Sequence, residues 1–237
     1  MKKPAIILYN STSEGGLLLT QYVKGRVINN IEELQDNEIL INWGKGTLYP
    51  SIWKSQWLNK PSAICNAVNK IQAFELFKRA GVTHPKWTYE KTQVREWLQQ
   101  NKIVLARKTA SGYMGEGISI LNAPTNTIPQ AEFYTQHVQH DDEYRIHIFH
   151  GRVINIGKKF AYSDNANPFV RNWGNWRFIN VVHIPTFVIQ ESIAAVQTLG
   201  LDFGAVDIGY CHNQDKAYVF EVNTAPGTGH NTITRYA

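Results

Sequence analysis

Two carboxylates and an amide near the end of the chain are the residues best spaced to act together. Two apolar runs, Ala205–Tyr210 and Ala217–Asn223, flank the polar turn His212-Asn213-Gln214-Asp215, which reads as a β-hairpin. Side chains alternate faces along a strand, so Asp207 points away from Val206 and Ile208, and Glu221 and Asn223 point away from Phe220 and Val222. With the turn centred on Asn213-Gln214-Asp215, Asp207 lies directly across from Glu221. Like charges opposed across a ladder repel. A hard cation such as Mg²⁺, which takes carboxylate and carbonyl oxygens, removes that cost. A half-solvated hairpin with an acidic outer face has the same pattern, and on the hairpin alone that plainer reading is slightly favoured. The following Pro226-Gly227-Thr228-Gly229 supplies a loop whose backbone can approach a ligand closely.

The elements that must carry these residues belong to an ordinary globular chain. Its 237 residues give room for one large domain or two small ones, and 43% hydrophobic with 18% charged residues exclude a disordered chain. No apolar run is long enough to span a bilayer, and Met1-Lys-Lys-Pro followed by Ala5–Tyr9 lacks a signal peptide's apolar core and cleavage site. No membrane partner is expected. Two cysteines, Cys65 and Cys211, make no disulfide framework and suit a reducing cytoplasm. The net charge of +5 is dispersed, with no block longer than pairs such as Lys2-Lys3 and Lys158-Lys159. That fits solubility or a small-anion pocket better than a nucleic-acid footprint, so no nucleic-acid partner is expected.

Along the chain, Ala5–Tyr9, a helix capped within Asn10–Glu14 and running to about Val23, and the strand Glu38–Asn42 predict a small α/β layer over the first sixty or so residues. Cys65–Ala80 reads as one amphipathic helix stopped by Gly81, with Asn66 and Lys70 on one face. Thr92–Gln100 is a second helix. The strand Ile103–Lys108 enters the loop Thr109-Ala-Ser-Gly-Tyr-Met-Gly-Glu-Gly117 and leaves it as Ile118–Leu121, so backbone N–H groups there can cover phosphates. The loop has neither the GxxxxGK[ST] nor the GxGxxG pattern. Phe133–Val138 is a strand, and Glu143–Phe149 pairs with Arg152–Ile156 across His150-Gly151, with Glu143, Arg145 and His147 on one face. His137/His140 and His147/His150 lack cysteine partners and point to opposite faces, which speaks against zinc. Ala161–Trp176 reads as a loop or lid carrying Arg171 and ending beside Arg177, and Pro185–Leu199 as a helix.

This order of pieces resembles the ATP-grasp superfamily, and most closely the D-alanine–D-alanine ligases and the glutathione-synthetase and ribosomal-protein glutamate-ligase group. The resemblance covers the chain from about Asn66 onward, and Glu221-Val-Asn-Thr-Ala-Pro-Gly227 is its most specific part. It implies an α/β (α+β) fold, with a small N-terminal α/β domain (1–62) followed by two α+β subdomains (63–130 and 131–237) that clamp ATP. It implies that Lys70, and Arg107 or its neighbour Lys108, contact phosphates, and that Ser111–Gly117, with Gly112, Gly115 and Gly117, covers them. A hinge at Gln136, His137 and Val138 would offer backbone groups to adenine, and Glu143 would hold the ribose. Asp207, Glu221 and Asn223 would bind Mg²⁺, or Mn²⁺ in its place.

The chemistry so implied joins a small-molecule or peptide carboxylate to an amine through an acyl phosphate, with ADP as product. Lys158, Arg171 and Arg177 are the further cations assigned to the reacting phosphoryl group, and Thr228, His230 and Asn231 the residues assigned to the amino-acid substrate. The arginine that several family members carry two residues before the metal-binding aspartate is Ala205 here, and Arg177 or Arg171 is expected to supply its charge. A kinase on the same scaffold and an ATP-binding module without turnover are the alternatives.

Overall fold

The computed structural model describes residues 2–46, 56–111, 117–162, 167–169, 171, 175–227 and 229–237. The first unit is a parallel sheet of β1 (Lys3–Leu8), β2 (Arg26–Ile28), β3 (Glu38–Trp43) and β4 (Gln56–Leu58) in the order β2-β1-β3-β4. Its central strands are near-continuous apolar runs, as strands covered on both faces must be. The helix α1 (Glu14–Tyr22) lays Leu19 on Ile6, Leu8, Ile41 and Trp43.

Two helices follow where the periodicity predicts one. α2 (Pro61–Val68) ends at Asn69, and α3 (Lys70–Ala80) begins immediately after it. Asn69 leaves helical geometry (φ −91°, ψ 105°), and its side chain accepts hydrogen bonds from the N–H groups of Ile71 and Gln72. An asparagine that caps outcompetes the continuing helix. The break puts Lys70 at the first turn of α3, where its N–H donates to the Ala110 carbonyl.

The second unit is an antiparallel sheet of β5 (Trp87–Thr88), β6 (Val104–Arg107), β7 (Ile118–Leu121) and β8 (Phe133–Gln136), in the order β5-β8-β6-β7. The middle sheet therefore runs through Gln136. Between β5 and β6, α4 (Lys91–Gln99) packs Val94, Trp97 and Leu98 on Val104, Ala106 and Tyr134. The opposite face carries Arg107 and Thr135.

The third unit is a five-stranded antiparallel sheet in the order β11-β10-β9-β12-β13. It comprises β9 (Asp142–Phe149), β10 (Arg152–Ala161), β11 (Trp176–Asn180), β12 (Phe203–Cys211) and β13 (Lys216–Asn223). His150 and Gly151 both take positive φ (45° and 71°), the geometry of a tight hairpin turn. α5 (Thr186–Thr198) lies between β11 and β12 in sequence and covers one face, packing Val188, Ala195 and Val196 on Ile146, Ile148, Val206 and Val219. The other face is left for chemistry.

The first and third units share a core. The Trp43 ring stacks on Phe203 at 5.5 Å and meets Tyr236 edge-on at 5.9 Å, and Ile233 from the short helix α6 (His230–Ile233) joins them. Beside them, fully buried Asn59 bonds Asp202 and Phe203 through its side chain, and its own N–H donates to the Asp202 carboxylate at 2.7 Å.

Candidate functional site

The hairpin of β12 and β13 places Asp207 opposite Glu221 and Ala205 opposite Asn223, the register that period-two counting gives from the turn. A bulge between Asp207 and Ile208 inserts Phe220 as an extra residue on β13. Phe220 therefore does not oppose Glu221. Its ring lies over Gly209, where a Cβ would sit 2.4 Å from the ring, and 5.1 Å from the His140 ring. Gly209 is thus a seat for an aromatic ring on the same face as Asp207, which residue-type patterning in β13 does not reveal.

Cations converge on these carboxylates from two directions. Lys70, at the start of α3, reaches Glu221 at 2.5 Å. Arg145, directly paired with Asp207 across β9 and β12, forks onto both its oxygens at 2.7 Å. The Lys70 ammonium holds the Glu221 carboxyl down to about 2, whereas burial pushes the Asp207 carboxyl up against the pull of Arg145. Asn223 Nδ2 stands 3.3 Å from Glu221 and 3.5 Å from Asp207. Among the described residues no group of three His, Cys, Asp or Glu forms a metal cage. Two carboxylates and an amide are instead the hard oxygen set that suits a Mg²⁺ keeping phosphate and water in its shell.

Glu143 is buried on the same face as Arg145. It has Lys159 at 2.7 Å, His140 at 3.3 Å and Arg171 at 3.5 Å. Burial opposes ionisation there, yet His140 and Lys159 hold the carboxyl below its ordinary value. Arg171 stacks over Trp176 at 4.6 Å, which places it at Glu143 rather than at Asp207 and Glu221.

Two expected cations lie on the wrong side of the sheet. Lys158 pairs with Tyr144 in register, bonds Asp142 at 2.5 Å and lies 5.7 Å from the Phe160 ring. Arg177 pairs with Phe160 in register and stacks on Tyr162 at 3.8 Å, exposed. Alternation puts both on the face opposite Asp207 and Glu221, and it puts Lys159 on the site face. Lys159 is the cation that counting along the chain misses, and Arg145, counted onto the face of Glu143, gains Asp207 as its partner only through the pairing of β9 with β12.

On the middle sheet, Arg107 turns inward. Its Nε donates to Thr135 Oγ1 at 3.3 Å, and burial lowers its basicity against the opposing charge of Glu221. Lys108 is exposed. Ser111 is exposed beside Thr109, and the Gly117 carbonyl accepts from the Lys108 N–H. Gly112 and Gly115 lie outside the described residues.

At the hinge, the N–H groups of Gln136 and His137 donate to the carbonyls of Lys86 and Ile103, and the Val138 carbonyl meets His140 Nδ1 at 2.7 Å. These groups therefore already have protein partners. Gln136 borders a separate surface cleft of about 770 Å³ with Trp87, Tyr89 and Trp97, and neither Asp207 nor Glu221 lines it. Thr228 lies outside the described residues. Asn231 is exposed in α6, which begins at His230.

His147 sits beside Arg145, and its Nδ1 meets the Tyr236 hydroxyl at 3.0 Å. Burial, then Arg145, lowers its imidazole to about 3, and burial with His140 and Arg171 lowers His137 to about 4. Neither acts as a general acid near neutrality. The unfolded chain's imidazoles titrate near about 6.5. Below that value the unfolded state binds more protons, so stability falls as pH drops from about 6.5 towards 4. Urea midpoints are expected to decline between about pH 7 and pH 5, with a smaller decline in His147→Gln. A flat midpoint across that window would show that these imidazoles are not held neutral.

No family model and no curated protein matches the sequence. Solved structures do match the fold. An ATP-grasp ligase, PsnB, complexed with minimal precursor, Mg and ADP, matches with a TM-score of 0.69 at 14% identity, over 98% of this chain and 91% of that one. D-alanine–D-alanine ligase from Bacillus anthracis matches with a TM-score of 0.63 at 13% identity, over 97% and 88%. The macrocyclase MdnC bound with precursor peptide MdnA, from Microcystis aeruginosa MRC, matches with a TM-score of 0.63 at 12% identity, over 95% and 92%.

Proposed function

Because the chain has the ATP-grasp fold, we propose that it is an ATP- and Mg²⁺-dependent ligase that joins a carboxylate to an amine. The observation that carries this reading is the direct pairing of Asp207 with Glu221, on a sheet face that Lys70 reaches from the start of α3. A carboxylate oxygen of the first substrate attacks the γ-phosphorus, the bond to the bridging oxygen breaks, and ADP leaves with its electrons. The amine nitrogen then attacks the acyl carbon and loses a proton, and phosphate departs.

The protein's part is positioning and charge. Lys70 and Arg107 hold phosphate oxygens, Glu143 takes the ribose hydroxyls, and the Phe220 ring with His140 forms the wall beside them. Mg²⁺, or Mn²⁺, would neutralise phosphate charge between Asp207, Glu221 and the amide oxygen of Asn223 once that amide turns. PsnB with its precursor and MdnC with its peptide make a peptide or small amino-acid substrate the natural first choice. A cytoplasmic setting fits the use of ATP and the two free thiols, Cys65 and Cys211.

The test is ADP release from Mg·ATP with pools of amino acids and short peptides, with and without an added amine. Amine-dependent ADP with a mass gain equal to an amide condensation is the expected result. ADP with a stable phosphorylated product would make the chain a kinase, and nucleotide binding without ADP in every pool would make it a binding module.

A further inference from the structure

The seat of Arg145 is built from three strands. Its register partner on β10 is Gly157, which has no side chain, and the Phe178 side chain from β11 fills that space: a Cβ on Gly157 would lie 3.2 Å from Phe178 Cβ. The Arg145 guanidinium lies over the Phe178 ring at 4.7 Å. One edge of the guanidinium, Nε and Nη2, is forked onto Asp207 at 2.7 Å. Nη1 has no partner among the described residues, although the side chain is only 21% exposed. On the same face, position 205 is alanine, so no side chain longer than a methyl stands between Asp207 and His147 on that row.

A guanidinium clamped on one edge and one face, with donors left over beside two metal carboxylates, is more than an ion pair for folding. Buried ion pairs contribute little net stability. Pre-fixed donors aimed at developing charge contribute a great deal to rate. Of the other cations near this floor, Lys159 and Arg171 face Glu143, Lys70 reaches in from α3, and Arg107 comes from β6 of the middle sheet. Arg145 is thus the fixed cation of the floor.

We propose that Arg145 is a catalytic residue that donates its free edge to the non-bridging oxygens of the phosphoryl group in transit. It stabilises them while the bond to the ADP oxygen breaks and the bond to the acceptor oxygen forms, and no proton moves. The inference rests on the nucleotide reading above but not on the choice between ligase and kinase, since the same oxygens pass in both.

The test uses the full chain with Mg·ADP, with and without aluminium fluoride, a planar mimic of the phosphoryl group that needs no acceptor. Wild type is expected to bind Mg·ADP more tightly when the fluoride is present. Arg145→Gln is expected to keep its Mg·ADP affinity within about threefold and to lose about 100-fold of that tightening. Arg145→Lys, which keeps the charge without the fork, serves if the glutamine variant melts early, and the same loss is expected of it. Equal weakening with and without fluoride would reduce Arg145 to a support for Asp207, and an intact increment in either folded variant would remove it from the reaction. A wild type that binds Mg·ADP but gains nothing from fluoride would overturn the inference alone. One that binds no nucleotide would overturn the nucleotide reading as well.

Discussion

Glu221→Gln is expected to lower ADP formation by about three orders of magnitude and leave the fold in place. Glutamine keeps the shape of the side chain and can still accept from Lys70, whose ammonium now stands 2.5 Å from Oε2. Its loss is the charge that would face a cation together with Asp207. The stability effect is small because two changes oppose each other. Lys70 loses its counter-charge, while Asp207 is relieved of a like charge directly across the ladder. Coupled ADP assays alongside thermal melts check both halves. Turnover within about tenfold of wild type would remove Glu221 from the proposed metal site and, with it, the main support for the proposed chemistry.

The second large effect concerns the fold. Asn59→Ala is expected to destabilise the chain by about 3–5 kcal/mol. The asparagine side chain accepts from the N–H groups of Asp202 and Phe203 at 2.8 and 3.1 Å and donates to the Phe203 carbonyl at 2.9 Å. Truncation leaves these partners unsatisfied in a region from which water is excluded. The backbone at Asn59 also sits at φ 61°, which asparagine tolerates better than alanine. Asn59→Gly separates the two causes: it relieves the backbone by about 1 kcal/mol and still loses the bonds. Urea unfolding of both variants is the measurement, and a loss under about 1 kcal/mol for Asn59→Ala would show that the latch is not rigid.

The hairpin of Asp207 and Glu221 is legible in the sequence because it is local. Turn position and period-two alternation are enough to put Asp207 against Glu221. Phe220 escaped because the bulge that brings it to the site face adds a residue without changing the residue-type pattern. The same difficulty hides Lys159 behind Lys158. β10 shifts register between Val153 and Asn155, and in a lysine pair only the pairing with β9 decides which member faces Glu143. Arg145 was visible on the face of Glu143, but its partner was not. The adjacency of β9 and β12 joins segments some sixty residues apart and is fixed by the whole sheet. Asn69 looked like any polar residue on a helix, and only its capping geometry shows the break that places Lys70. β2, β4, β5 and β11 are too short or too exposed to stand out from loops.

Asn59 and the Trp43–Phe203–Tyr236 stack also determine how the molecule can move. They weld the first sheet to the third through buried bonds and rings. The middle sheet joins the third through a second shared core, in which Ala110 and Phe133 pack in one cluster with Phe74, Ile146 and Val219. Drawing any one sheet away from its neighbour would therefore expose buried apolar surface, at a cost of about 25 cal/mol for each Å².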